Sequence, residues 1–347
     1  MIAFRCDASP VIGLGHLMRC RTLAYALCQL GEKCTMMGPE LSYRTQMDER
    51  VFAQWTPMPE GNKEAQQDAA VFIQLSQSVG ASFAVLDSYR VNESYQQTIY
   101  SSGLKWLQFD GRAQQPFWAN IITNINLQVQ AEDYQPLLQN KKAVLLLGAD
   151  YSILRPEFIT TRKSDGSRRC QRILVSFGGG GDLGAIQFVL KALLSVHGQD
   201  TYFVVISGER NPANKALKNW VALFARERVA LHINPENIAA LMAGCDLAII
   251  GGGGTSYEAA CLGMPMVIIA IVDNQVMQAK AWEKSGAAIF LGSLHELSEQ
   301  QLQSTFVRLL ENDAQRQAMA VRASRLVDGQ GVRRVAESIQ AFIKNAG

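Results

Sequence analysis

At 347 residues the chain is long enough for two domains that each bury a core without metal or disulfide staples, and its 48% hydrophobic and 18% charged content excludes a disordered class. The longest stretch free of charged or strongly polar side chains, 259–272, has 14 residues and is broken by Gly263 and Pro265, short of the ~18 a spanning helix needs. Thirty-three Lys and Arg against 31 Asp and Glu leave +2, too balanced for a nucleic-acid partner held by counterion release, and point to a small ligand.

Short β-branched runs alternate with amphipathic segments along the chain, the pattern of parallel βα units. In order, the sequence predicts strand 2–6, helix 17–30, strand 34–37, helix 64–78, strand 82–86, helix 93–100, strand 106–109, and strands near Ile121 and at 143–147. The polar stretch 160–172 (TTRKSDGSRRCQR) then interrupts the pattern and reads as a linker. Alternation restarts with strand 173–177, helix 185–194, strand 202–206, helix 213–225, strand 229–232, helix 238–243, strand 247–250, helix 256–262, strand 266–271, helix 275–284 and strand 287–291, and helices finish the chain. The expected fold is α/β, two Rossmann-like domains at 1–160 and 173–347 joined by a linker at 161–172 and facing each other across a cleft.

Three glycine-rich turns carry the chemical signal. In the first, RCDASPVIGLGHLMRC (5–20), a strand runs into a loop and a helix. Gly13 and Gly15 let the backbone turn, and His16 falls at the helix start. The partial positive charge there disfavours imidazolium and leaves a neutral ring able to take a proton near pH 7; the alternative is a histidine that merely caps the loop. In the second turn, GGGGTSYEAACLGMP (251–265), Gly252, Gly253, Gly254 and Thr255 bare a loop and a helix start to a pyrophosphate. Glu258, one turn on, can accept ribose hydroxyls or simply complement the helix dipole. The third, SFGGGGDLGA (176–185) with Gly179 and Gly180, is a second phosphate- or sugar-facing loop or a structural tight turn. No acidic residue follows at the spacing a nicotinamide site needs.

Asp7, the Asp87-Ser88-Tyr89 cluster and the Asp273-Asn274-Gln275 cluster all fall at carboxyl ends of predicted strands, whereas Arg19 and Arg21 read as solvated helix residues. The seven cysteines and four histidines show no zinc spacing, and there is neither D-x-D nor a P-loop, so no metal and no cofactor is expected. Arg5 and Asp7 precede any signal-peptide core, and a cytoplasmic location is the expectation.

The segments RCDASPVIGLGHLMRC, GADYSILRPEF (148–158), SFGGGGD and GGGGTSYEAACLGMP followed by DNQ occur together in this order, and in this the chain resembles the UDP-sugar hydrolases of pseudaminic acid biosynthesis, the PseG family. The second half is also similar to MurG, the N-acetylglucosaminyl transferase of peptidoglycan synthesis. The resemblance implies a GT-B architecture and metal-independent hydrolysis of UDP-2,4-diacetamido-2,4,6-trideoxy-β-L-altropyranose, with inversion at the anomeric carbon and release of UDP. His16 aligns with the family's proposed catalytic histidine, and Tyr89 and Asn274 with positions that contact sugar or attacking water. Where Ser88 stands the family often has His. By similarity to MurG, Ile233 would meet uracil, Glu258 the ribose and Gly252 to Thr255 the diphosphate, with Gln275 beside them. A GT-B glycosyltransferase using a UDP-acetamido sugar and a non-catalytic UDP-sugar sensor are the alternatives. A non-hydrolysing epimerase lacks its extra carboxylates and arginine here. The expected partner is the UDP-acetamido sugar, with no nucleic acid and no transmembrane segment.

Overall fold

The computed structural model describes residues 1–9, 12–58, 64–161, 170–179, 181–196 and 201–346. Two compact units divide the chain, Met1–Leu154 with Gln330–Gly347, and Arg155–Gly329.

The first unit contains β1 (Ile2–Cys6), β2 (Cys34–Gly38), β3 (Phe52–Pro57), β4 (Phe83–Asp87), β5 (Lys105–Phe109), β6 (Ile121–Asn124) and β7 (Val144–Leu147), paired in the order β3-β2-β1-β4-β5-β6-β7. All these pairings are parallel. β1 is buried throughout, as a central strand covered by helices on both faces must be, and its residues read as a continuous apolar run broken only by Arg5. The chain winds one way from β1 to β2 and β3, then returns to β4 on the other side of β1, which makes the β1/β4 boundary a topological switch point. The edge strand β3 was not among the predicted elements. Only Phe52 and Trp55 of it are buried, it ends on Pro57 and it pairs across a register shift between Cys34 and Thr35, so it lacks the apolar run that marks the central strands.

The second unit contains β8 (Arg172–Ser176), β9 (Tyr202–Ser207), β10 (Val229–Ile233), β11 (Leu247–Ile250), β12 (Met266–Ala270) and β13 (Ala288–Ser293), also parallel, in the order β10-β9-β8-β11-β12-β13. Its switch point lies between β8 and β11, so both glycine-rich turns of this unit leave the sheet there.

Both expected domain boundaries shift. The break falls after Leu154, because the helix Pro156–Thr160 packs on the second unit's helices Ile238–Ala243 and Thr255–Cys261 and buries Phe158 completely. Residues 162–169 of the expected linker lie outside the described residues. The last helix, Gly331–Ala346, belongs to the first unit rather than the second. Its Val332, Val335, Ala336 and Ile339 recur at helical spacing and join the core of Phe4, Leu23 and Leu27, and Gln340 Nε2 donates to Leu30 O at 2.9 Å. Ile339→Ala should therefore cost about 2–4 kcal/mol, the usual penalty for a cavity of that size. Hydrogen exchange should show protection lost in β1, β4 and the helix Gly15–Gln29, with β8 to β13 unaffected; loss confined to the second unit would contradict this packing.

Candidate functional site

In the first unit the site grows from the ends of β1 and β4. Cys6 and Asp87 are register partners on these neighbouring strands, so the turn after β1 and the carboxylate ending β4 emerge side by side. The turn is closed by Gly13 N donating to Ser9 O at 2.8 Å with Gly13 at φ +83°, a conformation that favours glycine. The helix Gly15–Gln29 then begins, and its second residue is His16. The N-cap residue is Leu14 and no side chain caps the helix, so His16 is not a cap.

His16 Nδ1 instead lies 2.6 Å from Asp87 Oδ1. Burial by itself would push the Asp87 carboxyl up, but the Arg19 guanidinium and the hydrogen bonds from His16 and Arg19 outweigh it and hold the group below the usual carboxylate range. Asp87 is therefore an ionised acceptor, the proton of a neutral ring sits on Nδ1, and Nε2 carries the lone pair. Nε2 has no hydrogen-bond partner among the described residues. This is the base-and-orienter geometry of nucleophile activation. Tyr89, 75% exposed, meets the imidazole edge to face with ring centroids 4.7 Å apart.

Arg19 is not the solvated residue that the sequence suggested. Its Nε and Nη2 fork onto Asp87 Oδ2 and Oδ1 at 2.7 and 2.6 Å, and its Cζ lies 4.3 Å from the centroid of the Phe109 ring. Arg21 is likewise engaged, with Asp48 at 2.7 Å. Asp7 is brought to the same strand ends, but both of its oxygens have protein donors: Oδ1 accepts from Arg5 Nη1 at 2.7 Å and Oδ2 from the Ser88 hydroxyl at 2.5 Å. Arg5 in turn pairs with buried Asp68, so Asp7 is the outer end of a charged network rooted in β1. Among the described residues no atom lies within 4 Å of where a Gly15 side chain would begin.

In the second unit, the loop after β11 is shaped by a close backbone approach. A Cβ at Gly252 would stand 2.8 Å from Gln275 O, a backbone atom that cannot step aside, whereas at Gly253 the nearest atom is Gln275 Nε2 at 3.9 Å and at Gly254 no described atom lies within 4 Å. The Ser256 hydroxyl donates to Gly253 O at 2.7 Å and fixes the turn into the helix Thr255–Cys261. The amides of Gly253, Gly254 and Thr255 have no acceptor among the described residues. Glu258 lies in the same helix, its side chain 24% exposed, with Arg155 Nη2 at 3.5 Å from Oε1. Burial pushes its carboxyl up to about 7; Arg155 works against this shift and Glu157 adds to it.

Ile233 ends β10 and is partly buried, and Asn234 beyond it has φ +47° and donates its N–H to Ser207 O at 2.9 Å. Asn274 is exposed in the turn Asp273–Gln275. Gln275 is partly committed internally, because its Oε1 accepts from Ile271 N at 3.1 Å. In the third loop, Gly179 is the near neighbour that forces glycine at 208, where a Cβ would meet Gly179 O at 2.3 Å. Asp182, buried, accepts from Ile186 N and Asn211 Nδ2 at 2.9 and 3.0 Å and pins this loop to its helix. Gly180 lies outside the described residues.

Two partners were invisible in the sequence. In the sequence Asp87 is only a polar residue at a strand end, and Arg155 only part of a motif. Arg19 was legible in principle, since positions 16 and 19 share one helix face at i, i+3 spacing. Among the described residues no group of three or more His, Cys, Asp or Glu could hold a metal ion, and no helix is long and apolar enough to cross a membrane.

Comparison with known proteins gives a matching family model, UDP-glucoronosyl and UDP-glucosyl transferase, over residues 247–338. The chain is 30% identical over 195 residues to the spore coat polysaccharide biosynthesis protein SpsG of Bacillus subtilis, covering 56% of this chain and 57% of that one. It is 26% identical over 286 residues to the UDP-2,4-diacetamido-2,4,6-trideoxy-β-L-altropyranose hydrolase of Campylobacter jejuni, covering 82% of this chain and 97% of that one. The matched region spans only a little over half the length of two of the curated relatives, 57% and 55%. Among solved structures, Acinetobacter baumannii MurG superposes with a TM-score of 0.66 at 16% identity, covering 98% of this chain and 99% of that one. The fold is therefore that of the GT-B proteins, with two Rossmann-like units, and the expected fold class holds.

Proposed function

We propose that the protein hydrolyses a UDP-sugar, with UDP-2,4-diacetamido-2,4,6-trideoxy-β-L-altropyranose as substrate. The observation that carries this reading is the His16–Asp87 pair, which leaves Nε2 as an oriented base at a strand end. Water loses a proton to Nε2 as its oxygen attacks the anomeric carbon; the C1–oxygen bond breaks with inversion, and its electron pair leaves with UDP. Asp87 stabilises the imidazolium that forms. The unengaged amides of Gly253, Gly254 and Thr255 and the helix start behind them receive the charge that develops on the diphosphate. Glu258 accepts the ribose hydroxyls, Ile233 lies against uracil, and Tyr89 and Asn274 contact sugar or water. Likeness to the Campylobacter hydrolase over 82% of the chain supports the substrate. No step needs a divalent metal.

A glycosyltransferase is the second reading, favoured by the family model over 247–338. It differs only in the acceptor that replaces water. Purified protein incubated with the altropyranose substrate and no acceptor should release UDP and free sugar in equal amounts. Release only on adding an acceptor supports transfer, and binding without turnover supports a sensor.

Glu258 gives a test of the nucleotide site. Glu258→Gln should weaken UDP by about 1–3 kcal/mol at pH 8, the cost of losing hydrogen bonds to a charged group. With its pKa raised to about 7, the carboxyl is protonated below and ionised above that pH, so the ratio of wild-type to variant affinity should grow from pH 6 to pH 8. UDP's own ionisation cancels in that ratio. Calorimetry showing equal affinities across the range would return Glu258 to a dipole-complementing role.

A further inference from the structure

Asp87 is shared. One carboxylate group accepts from His16 Nδ1 and from both ends of the Arg19 fork, and Arg19 Nη2 stands 3.5 Å from His16 Nδ1. A buried carboxylate paired with histidine alone would pull a proton onto the ring, because the resulting ion pair is favourable in a site away from water. A base already protonated cannot activate water. Arg19 supplies the compensating charge: it neutralises Asp87 in the resting state and opposes a second cation beside it. Its stacking on Phe109 and its place one helical turn after His16 hold it there. The other groups facing the pair are Cys20, whose Sγ lies 4.0 Å from Asp87 Oδ2 on the same helix, and Tyr89 beyond β4.

We propose that Arg19 is a positioning residue that sets the pH range over which His16 can act as a base, by fixing the Asp87 carboxylate in orientation and compensating its charge. This rests on the reading of His16 as the base, but its first test does not. The chain has four histidines, so ring signals of histidine-labelled protein can be followed by NMR, with His16 assigned from the spectrum of His16→Gln. Arg19→Met removes the charge and keeps much of the packing. Its His16 signal should titrate about one pH unit or more above wild type, the usual effect of an uncompensated carboxylate. Arg19→Lys keeps the charge without the fork, and its titration should stay near that of wild type.

Turnover of the altropyranose substrate gives the second readout. The acid limb of kcat/KM should move with the ring titration in Arg19→Met. In Arg19→Lys the limb should stay in place while kcat falls about tenfold, because Asp87 loses one anchoring bond. If the His16 signal of both variants titrates as in wild type, the proposal is overturned, whatever their stability. If Arg19→Met does not fold, a displaced Arg19→Lys titration overturns the charge role and an undisplaced one with lowered kcat supports it. A shifted titration in a protein whose turnover does not depend on His16 would leave the role of Arg19 standing and remove the base reading instead.

Discussion

His16→Gln should lower UDP release about 10²–10⁴-fold while UDP affinity stays within twofold of wild type, because general-base catalysis is worth about that much and the nucleotide contacts we propose lie in the other unit. The stability cost should be small. Asp87 keeps its two bonds from Arg19, and the helix Gly15–Gln29 loses no cap, since none is provided by His16. The variant should therefore melt within a few degrees of wild type. A preparation that melts markedly lower yet turns over at the wild-type rate would assign His16 a structural role only. Steady-state kinetics, UDP titration and a melting curve on one preparation separate these outcomes.

Asp87→Asn has a comparable expected effect through a different route. The amide preserves volume, but an Asn Nδ2–H turned toward the ring donates to Nδ1 and drives the ring proton onto Nε2, the atom that accepts the proton from water in the mechanism we propose. Turnover should fall about 10²–10⁴-fold. Stability should fall as well, by about 1–3 kcal/mol, because the Arg19 fork loses its ionised acceptor at the buried position 87. The sign of the pH dependence follows from the lowered pKa of Asp87 in the folded chain. A depressed carboxyl contributes stability that is present above its unfolded value, near ~3.9, and lost only as pH falls through the lower folded value. Wild-type protein should thus keep this contribution at pH 5, and the stability gap between wild type and Asp87→Asn should close only below about pH 4. Denaturant unfolding at pH 7, 5 and 3 checks this. A gap that stays the same from pH 7 to pH 3 would place the Asp87 carboxyl in the ordinary range.

The local grammar of the chain was enough to place most of the strands and the glycine-rich turns. Continuous apolar runs mark strands buried on both faces, and glycines followed by a helical period mark turns at their ends. From that alone His16 lies at a helix start after β1, and Gly252 to Thr255 lie at a helix start after β11. Chain order misled where an element packs against something distant: the last helix carries an apolar face that the sequence displays clearly, yet nothing local says that this face completes the core around Phe4 rather than the nearer sheet. The same holds for the chemistry. Asp87 is 71 residues from His16 and 68 from Arg19, and only the pairing of β4 beside β1, with Cys6 opposite Asp87, brings the carboxylate to the helix that carries both. Arg155 reaches Glu258 because the helix Pro156–Thr160 packs on the helix Thr255–Cys261. Parallel strands gather their carboxyl ends along one edge whatever their separation in sequence, so the kind of residue at each end was readable in advance, but which ends become neighbours was settled by strand order and register.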